Sequence, residues 1–273
     1  MIYQITAASD AATEKGLFEK LKPCHYTRRI KSHYLSYGFK YDFCRIFAIS
    51  REGKNVGLLS YFNSTMIISD MGGVTFNDDE INELAEFILM NRPCSVEIDP
   101  IYSGRIAPLL AEAYAPDLRT EFAFCPKGEL PELDIDETPS LDDVFDILRE
   151  SFPTLAQSYD LWITDTSHRV RRGLSQSFLM KDDTGRANCS TATIQYIIDR
   201  KALIGHVATL PEFRGQFYAR RLLYWIGERL TNDGFEVRLF ARPHRVSYYE
   251  EIGFAAIKHD KVFELKEDCR GGR

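Results

Sequence analysis

Two short segments combine residue types whose spacing could do chemistry. The first is Arg214-Gly215-Gln216-Phe217-Tyr218-Ala219, preceded by Val207-Ala208-Thr209-Leu210-Pro211-Glu212-Phe213. Ala202–Leu210 reads as a strand, and Leu222, Leu223, Ile226 and Leu230 recur at helical spacing after Tyr218. A helix start exposes unpaired amides and about half a positive charge, so an anion such as a pyrophosphate can dock there. Gly215 lets the backbone approach that anion closely, and Ala219 permits close packing at the helix start. A plain strand–turn–helix corner fits these residues too. It is neither a Walker loop, for no Gly-Lys-Ser/Thr follows, nor the three-glycine dinucleotide fingerprint. The second segment is Ser247-Tyr248-Tyr249-Glu250-Glu251-Ile252-Gly253-Phe254. A phenol there can donate a proton where negative charge develops on a leaving group.

The elements that must position these segments alternate between strand and helix. Leu174–Met180 and Cys189–Ile198 flank the turn residues Asp182-Asp183-Thr184-Gly185 as a hairpin. The helix from Tyr218 is followed by Gly234, where a left-handed C-cap is wanted. Phe235–Phe240 is a further strand, Val246–Ile252 a short helix and Val262–Leu265 a last strand. Cys44–Ser50, Val56–Phe62 and Ser64–Ser69 read as strands, Ile81–Leu89 as a helix, Ser95–Ile98 as a strand and Ile106–Ala115 as a helix. That order echoes the second half and suggests a distant duplication. Between Cys125 and Ser140, Pro126, Pro131 and Pro139 stand among acidic residues, as in an extended linker. Ser140-Leu141-Asp142-Asp143 then looks like a capped helix start. Two domains are expected, 1–130 and 131–273.

Composition narrows the class. The chain has 273 residues, 44% of them hydrophobic and 27% charged, enough to bury a core. Its net charge of −6 argues against a nucleic-acid partner. The six cysteines show no C-x-x-C spacing, so neither a metal site nor a disulfide framework is expected. Met1–Asp10 has no basic stretch leading into an apolar one, and no apolar run approaches the roughly 20 residues of a membrane span. A cytoplasmic protein without a membrane partner is expected.

The loop and the late tyrosine together resemble the GNAT superfamily of acetyl-CoA-dependent N-acyltransferases. That family has a phosphate loop of the form R/Q-x-x-G-x-G/A after a strand ending in a Val-x-Pro-type sequence, and a late Tyr-x-x-x-Gly-Phe signature. Arg214, Ala219, the leading strand and Tyr249–Phe254 match, while Phe217 stands where the family usually has its central glycine. The resemblance implies an α/β fold with a mixed sheet for residues 131–273, preceded by a degenerate GNAT-like domain. It implies acetyl-CoA as acyl donor, held by Val207, Ala208 and Thr209 and by the loop Arg214, Gly215, Gln216, Phe217, Tyr218 and Ala219. Tyr249 would be the general acid, and no metal would be required. The implied activity is N-acylation of a small primary amine. A non-catalytic acyl-CoA-binding module, a scaffold and a protein N-acetyltransferase are the alternatives.

Other residues carry weaker signals. His206 can titrate near neutrality, but period-two alternation turns it to the face opposite Val207 and Thr209. Glu212 reads as an exposed turn carboxylate, so no general base is legible. Trp162, Asp165 and His168 combine an aromatic wall with both charge signs and suit a small amine bound between the domains. An amphipathic helix with a solvated basic face fits them too. The N-terminal half shows Ser69-Asp70-Met71-Gly72-Gly73-Val74-Thr75-Phe76, with glycines but no arginine, and is expected to wall the acceptor cleft rather than bind CoA. His25-Tyr26-Thr27-Arg28-Arg29-Ile30-Lys31 reads as a solvated basic face. A homodimer is neither indicated nor excluded.

Overall fold

The computed structural model describes residues 1–6, 18–128 and 133–269. They pack as two units, one of residues 1–119 with 259–273 and one of residues 120–258. The division expected near residue 130 lies outside the described residues.

In the first unit β1 (Ile2–Ile5), β2 (Cys44–Arg51), β3 (Lys54–Phe62) and β4 (Thr65–Asp70) are antiparallel neighbours. Helix α1 (His25–Tyr37) lies between β1 and β2 in sequence. After β4 come α2 (Asp78–Asn91), β5 (Ser95–Ile98), parallel to β4, and α3 (Ser103–Leu110). Val262–Glu264 pair antiparallel with β5. Helix α2 starts sharply because Asn77 and Glu80 form a reciprocal capping box. It buries Ile81, Leu84, Ala85 and Ile88 against the sheet, each large aliphatic side chain contributing roughly 1.5–3 kcal/mol. The helix expected at Ile106–Ala115 is displaced towards the N-terminus as α3. It gives way to β6 (Tyr114–Phe124), a strand that Pro116 and Asp117 conceal from the period-two pattern.

The second unit begins its own elements with β7 (Ile135–Asp136), an edge strand inside the expected linker. Helices α4 (Leu141–Ser151), α5 (Pro153–Ala156) and α6 (Tyr159–Arg171) follow. Next come β8 (Gln176–Lys181), β9 (Asn188–Ile198), β10 (Lys201–Thr209), α7 (Tyr218–Asn232), β11 (Glu236–Ala241), α8 (Val246–Ile252) and β12 (Phe254–Leu265). The sheet runs β7-β8-β9-β10-β11, with Thr120–Ala123 of β6 antiparallel on β11. Only β10 and β11 are parallel to each other. One face packs Phe178 and Met180 on Leu222, Leu223 and Ile226 of α7. The opposite face packs Leu179 and Ala208 on Val144 and Leu148 of α4. Helix α7 ends as expected. Gly234 has φ +79° and Phe235 N–H reaches back to Leu230 O at 2.9 Å. Ser140 precedes α4, as the sequence suggests, yet its side chain makes no cap hydrogen bond.

The basic cluster at His25–Lys31 corrects the sequence reading. It belongs to α1, and His25 and Arg28 are buried. The first unit encloses a charged network around Glu97, which takes hydrogen bonds from Arg119 at 2.6 Å and from Arg29, and lies 3.3 Å from His25 Nε2. Arg119 also donates to Asp260 at 2.8 Å, and Tyr26 donates its hydroxyl to Asp260 at 2.6 Å. Burial holds the His25 pKa down to about 4, against the pull of Glu97. Burial alone would raise the Glu97 pKa, but Arg119 and Arg29 hold it well below the usual carboxylate range. In both cases the unfolded chain takes up protons that the folded one refuses. Stability is therefore full above about pH 6.5 and falls towards pH 4 and below. Thermal unfolding should show the melting temperature dropping across that window. His25→Gln should flatten the part of the slope above about pH 5, and an unchanged slope would contradict the assignment.

Candidate active site

The site starts where two parallel strands stop pairing. Lys201–Ile204 of β10 pair with Glu236–Leu239 of β11, and beyond them β11 continues only against β6. From Gly205 to Thr209, β10 keeps β9 alone as a neighbour. Its other edge presents main-chain N–H and C=O groups to a cavity of about 710 Å³. The ladder with β9 carries two compensating bulges, one with the extra residue on β9 at Gln195 and one on β10 at His206–Val207. His206 has φ +48°. The bulge interrupts the alternation expected for this strand, and every residue from Ile204 to Thr209 lines the cavity.

The turn after β10 is tied down by its own side chains. Arg214 donates to Thr209 O at 3.1 Å and to Ser151 Oγ at 3.2 Å, and Gln216 donates to Glu212 O at 3.2 Å. Gly215 has φ +79° and Phe217 φ +64°, and Phe217, the N-cap of α7, forms no side-chain cap. The first turn of α7 holds no acidic residue, so its orphan amides and positive end face the cavity uncompensated. The Phe217 ring is 64% exposed and does not plug this corner. Tyr218 turns its ring into the core, where its hydroxyl accepts from Asp183 N–H at 3.2 Å. Across the cavity stand Tyr248, Tyr249 and Arg245 at the start of α8. Tyr249 packs its ring near Phe122 and Phe254, and burial pushes its phenol pKa up, so the proton is held at neutral pH.

Of the residues expected to hold the donor, Val207, Ala208, Thr209, Arg214, Gly215, Phe217, Tyr218 and Ala219 line the cavity, as does Tyr249; Gln216 does not. Arg245 and Phe152 line it too and were missed, because nothing in sequence spacing brings α8 or the α4–α5 junction to this loop. The expected acceptor residues lie elsewhere. Trp162 is buried in the core with Phe145 and Leu148, Asp165 is ion-paired to Arg169 at 2.7 Å, and His168 lies 3.4 Å from Arg172.

The first unit repeats the arrangement without the opening. Thr65–Ile68 pair with Ser95–Ile98 in parallel, again for four residues. Met71 N–H then points to Val56 O on β3, so Asp70 and Gly72 face the other edge. There Lys22 N–H donates to Asp70 O at 3.4 Å and Gly72 N–H to Lys20 O at 2.8 Å, with Leu21 opposite Met71. The chain's own Lys20–Lys22 segment fills the gap. The helix that follows is capped and begins Asp78-Asp79-Glu80, a start that repels an anion.

Residues 141–254, a span containing both the Arg214–Ala219 loop and Tyr249–Phe254, match the model of the Acetyltransferase (GNAT) family. The second unit therefore carries a GNAT acetyltransferase domain, and that domain is the domain of an N-acetyltransferase. The chain is similar to a GNAT-family acetyltransferase from Colwellia psychrerythraea, at 14% identity and TM-score 0.56 over 97% of this chain and 100% of the other. It is similar to a tandem GNAT protein from the clavulanic acid biosynthesis pathway, at 13% identity and TM-score 0.66 over 96% and 97%. A GCN5-related N-acetyltransferase from Kribbella flavida is similar at 14% identity and TM-score 0.55 over 80% and 88%. At such identities the likeness establishes the fold alone. Comparison with curated proteins finds no match. Among the described residues no helix is long and apolar enough to cross a membrane, and no group of three His, Cys, Asp or Glu side chains could hold a metal.

Phe217 occupies a left-handed conformation that costs a side chain about 1–2 kcal/mol and costs glycine little. Its ring is mostly exposed, so truncation sacrifices little burial. Phe217→Gly should raise the urea midpoint, by up to about 1 kcal/mol of stability. A lowered midpoint would show that the ring packs more than its exposure indicates.

Proposed function

We propose that the protein transfers an acetyl group from acetyl-CoA to the nitrogen of a small primary amine. The observation that carries this reading is one cavity bringing together an unpaired strand edge, an uncapped helix start and a protonated phenol. The main-chain groups of Val207–Thr209 suit the amide-bearing pantetheine arm, which can bond to a strand edge much as a neighbouring strand would. The first-turn amides of α7 suit the diphosphate. Held this way, a thioester is aimed at an incoming nitrogen, and fixed orientation replaces a costly encounter. Tyr249 keeps its proton until a thiolate leaves, then supplies it. The volume of about 710 Å³ lies within the range of small-molecule sites.

Calorimetric titration should show acetyl-CoA binding on a micromolar scale, weakened about tenfold or more by Arg214→Glu. That substitution removes two bonds that shape the loop and sets a negative charge beside the phosphates. No binding at millimolar ligand would defeat the proposal. Tyr249→Phe should lower kcat by about 100-fold while CoA affinity stays within about twofold. A comparable loss of affinity would instead assign the phenol to packing.

A further inference from the structure

Helix α8 carries Tyr249 and has little of its own to hold it in place. It is seven residues long, no side chain caps its start, and Ile252 is its one buried residue. A helix of two turns does not persist on its own hydrogen bonds, and Tyr249 can serve a leaving sulfur only if the helix keeps one position. What secures it lies at its far end. Arg220 donates to Glu251 O at 2.9 Å and to Glu251 Oε2 at 3.2 Å, and Lys127 donates to Glu250 O at 3.3 Å. Cations there satisfy carbonyls that a helix end leaves open and offset its negative pole.

We propose that Arg220 is a positioning residue. It fixes the last turn of α8 to the first turn of α7 and so sets the Tyr249 phenol against the sulfur of a donor gripped at that turn. The proposal rests on the acetyl-transfer reading above and adds a residue that acts through Tyr249 rather than on the donor.

An arginine one residue past Ala219 would ordinarily be expected to meet a phosphate. Phe217, Tyr218 and Ala219 line the main cavity, whereas Arg220 does not. Arg220 borders a separate hollow of about 370 Å³ with Lys127 and Arg221, and each of these three cations already meets a protein acceptor. Arg221 donates to Asp183 Oδ1 at 2.8 Å, while the other two reach α8. The planar fork of a guanidinium suits the task, since it takes the main-chain and side-chain oxygens of one residue together. The side chains of Arg220 and Glu251 are 35% and 63% exposed, so their ion pair adds little to stability. Its contribution is to place the helix.

The groups around the phenol decide how this can be measured. Tyr249 packs near Phe122 of β6 and Phe254 of β12, which bring no charge. The titratable or charged groups sharing its cavity are His206, Arg214, Tyr218, Arg245 and Tyr248. Desulfo-CoA, which lacks the sulfur, reports their effect on the rest of the ligand, and Tyr249→Phe shows how much of the remainder belongs to the phenol.

The test uses the full chain and needs no acceptor. A thiolate takes a stronger hydrogen bond from a phenol than a thiol does. Relative to desulfo-CoA, the parent should therefore bind CoA about tenfold more tightly at about pH 9.5 than at about pH 7. Arg220→Met should lose that gain as fully as Tyr249→Phe does. It should still bind desulfo-CoA within about twofold of the parent and melt within a few degrees of it. The double variant should lose no more than either single one. Arg220→Lys, which keeps a donor for Glu251 O, should recover part of the gain. A gain retained in Arg220→Met would overturn the proposal. So would a loss of about tenfold in its affinity for desulfo-CoA, which would put the guanidinium on a phosphate. A parent that binds CoA without the gain would remove the role of Tyr249 and the proposal with it. A parent that binds neither ligand would remove the transferase reading itself.

Discussion

A parallel strand pair that stops after four residues creates a debt of unpaired main-chain groups, and nearly everything distinctive about this chain concerns how that debt is met. Buried N–H and C=O groups left without partners are costly. The two units meet the constraint differently. In the first, Lys20–Lys22 bond to Asp70 and Gly72 and complete the ladder from within. In the second, Gly205–Thr209 keep β9 as their strand neighbour on one side and border a cavity on the other. One arrangement favours stability and the other favours binding.

The helix starts follow the same division. Asn77 and Glu80 satisfy the first amides of α2, and Asp78 and Asp79 offset its positive end. Helix α7 has neither a cap nor an acid there, and Arg220 and Arg221 follow close behind. A domain that relies on its helix only for packing gains from capping it. A domain that grips an anion does so with amides left unsatisfied, and the resulting cost is recovered when the anion arrives. Phe217 adds local strain to that uncapped start, while Arg214 secures the loop from the other side through Thr209 and Ser151.

Much of this was legible in the residues themselves. The hairpins, the helix from Tyr218 with Gly234 at its end, the Val246–Ile252 helix and the strand at Ser95–Ile98 follow from period and turn chemistry. Such signals are local. What escaped was non-local. Helix α1 reads as a polar basic segment because the carboxylate that meets its His25 and Arg29 is Glu97, far along the chain, and no window in the sequence contains that pairing. β6 was hidden by a proline near its start. The bulge at His206–Val207 escaped because alternation presumes a regular strand, and the extra residue shows only in the pairing of β10 with β9. Trp162 offered an aromatic wall on paper and proved to be core, the ordinary fate of a large apolar ring. Arg245 and Phe152 reach the cavity only through tertiary packing.

The most direct measurement of the central claim is amide hydrogen exchange with and without CoA, read segment by segment. Amides of Gly205–Thr209 and Gly215–Arg220 should slow markedly when CoA is added, because the ligand supplies the bonds those segments lack. Amides of Asp70–Gly72, already paired within the chain, should not change. Equal exchange in both states at Gly205–Thr209 and Gly215–Arg220 would contradict the account, since the strand edge and the helix start would then not be what holds the donor.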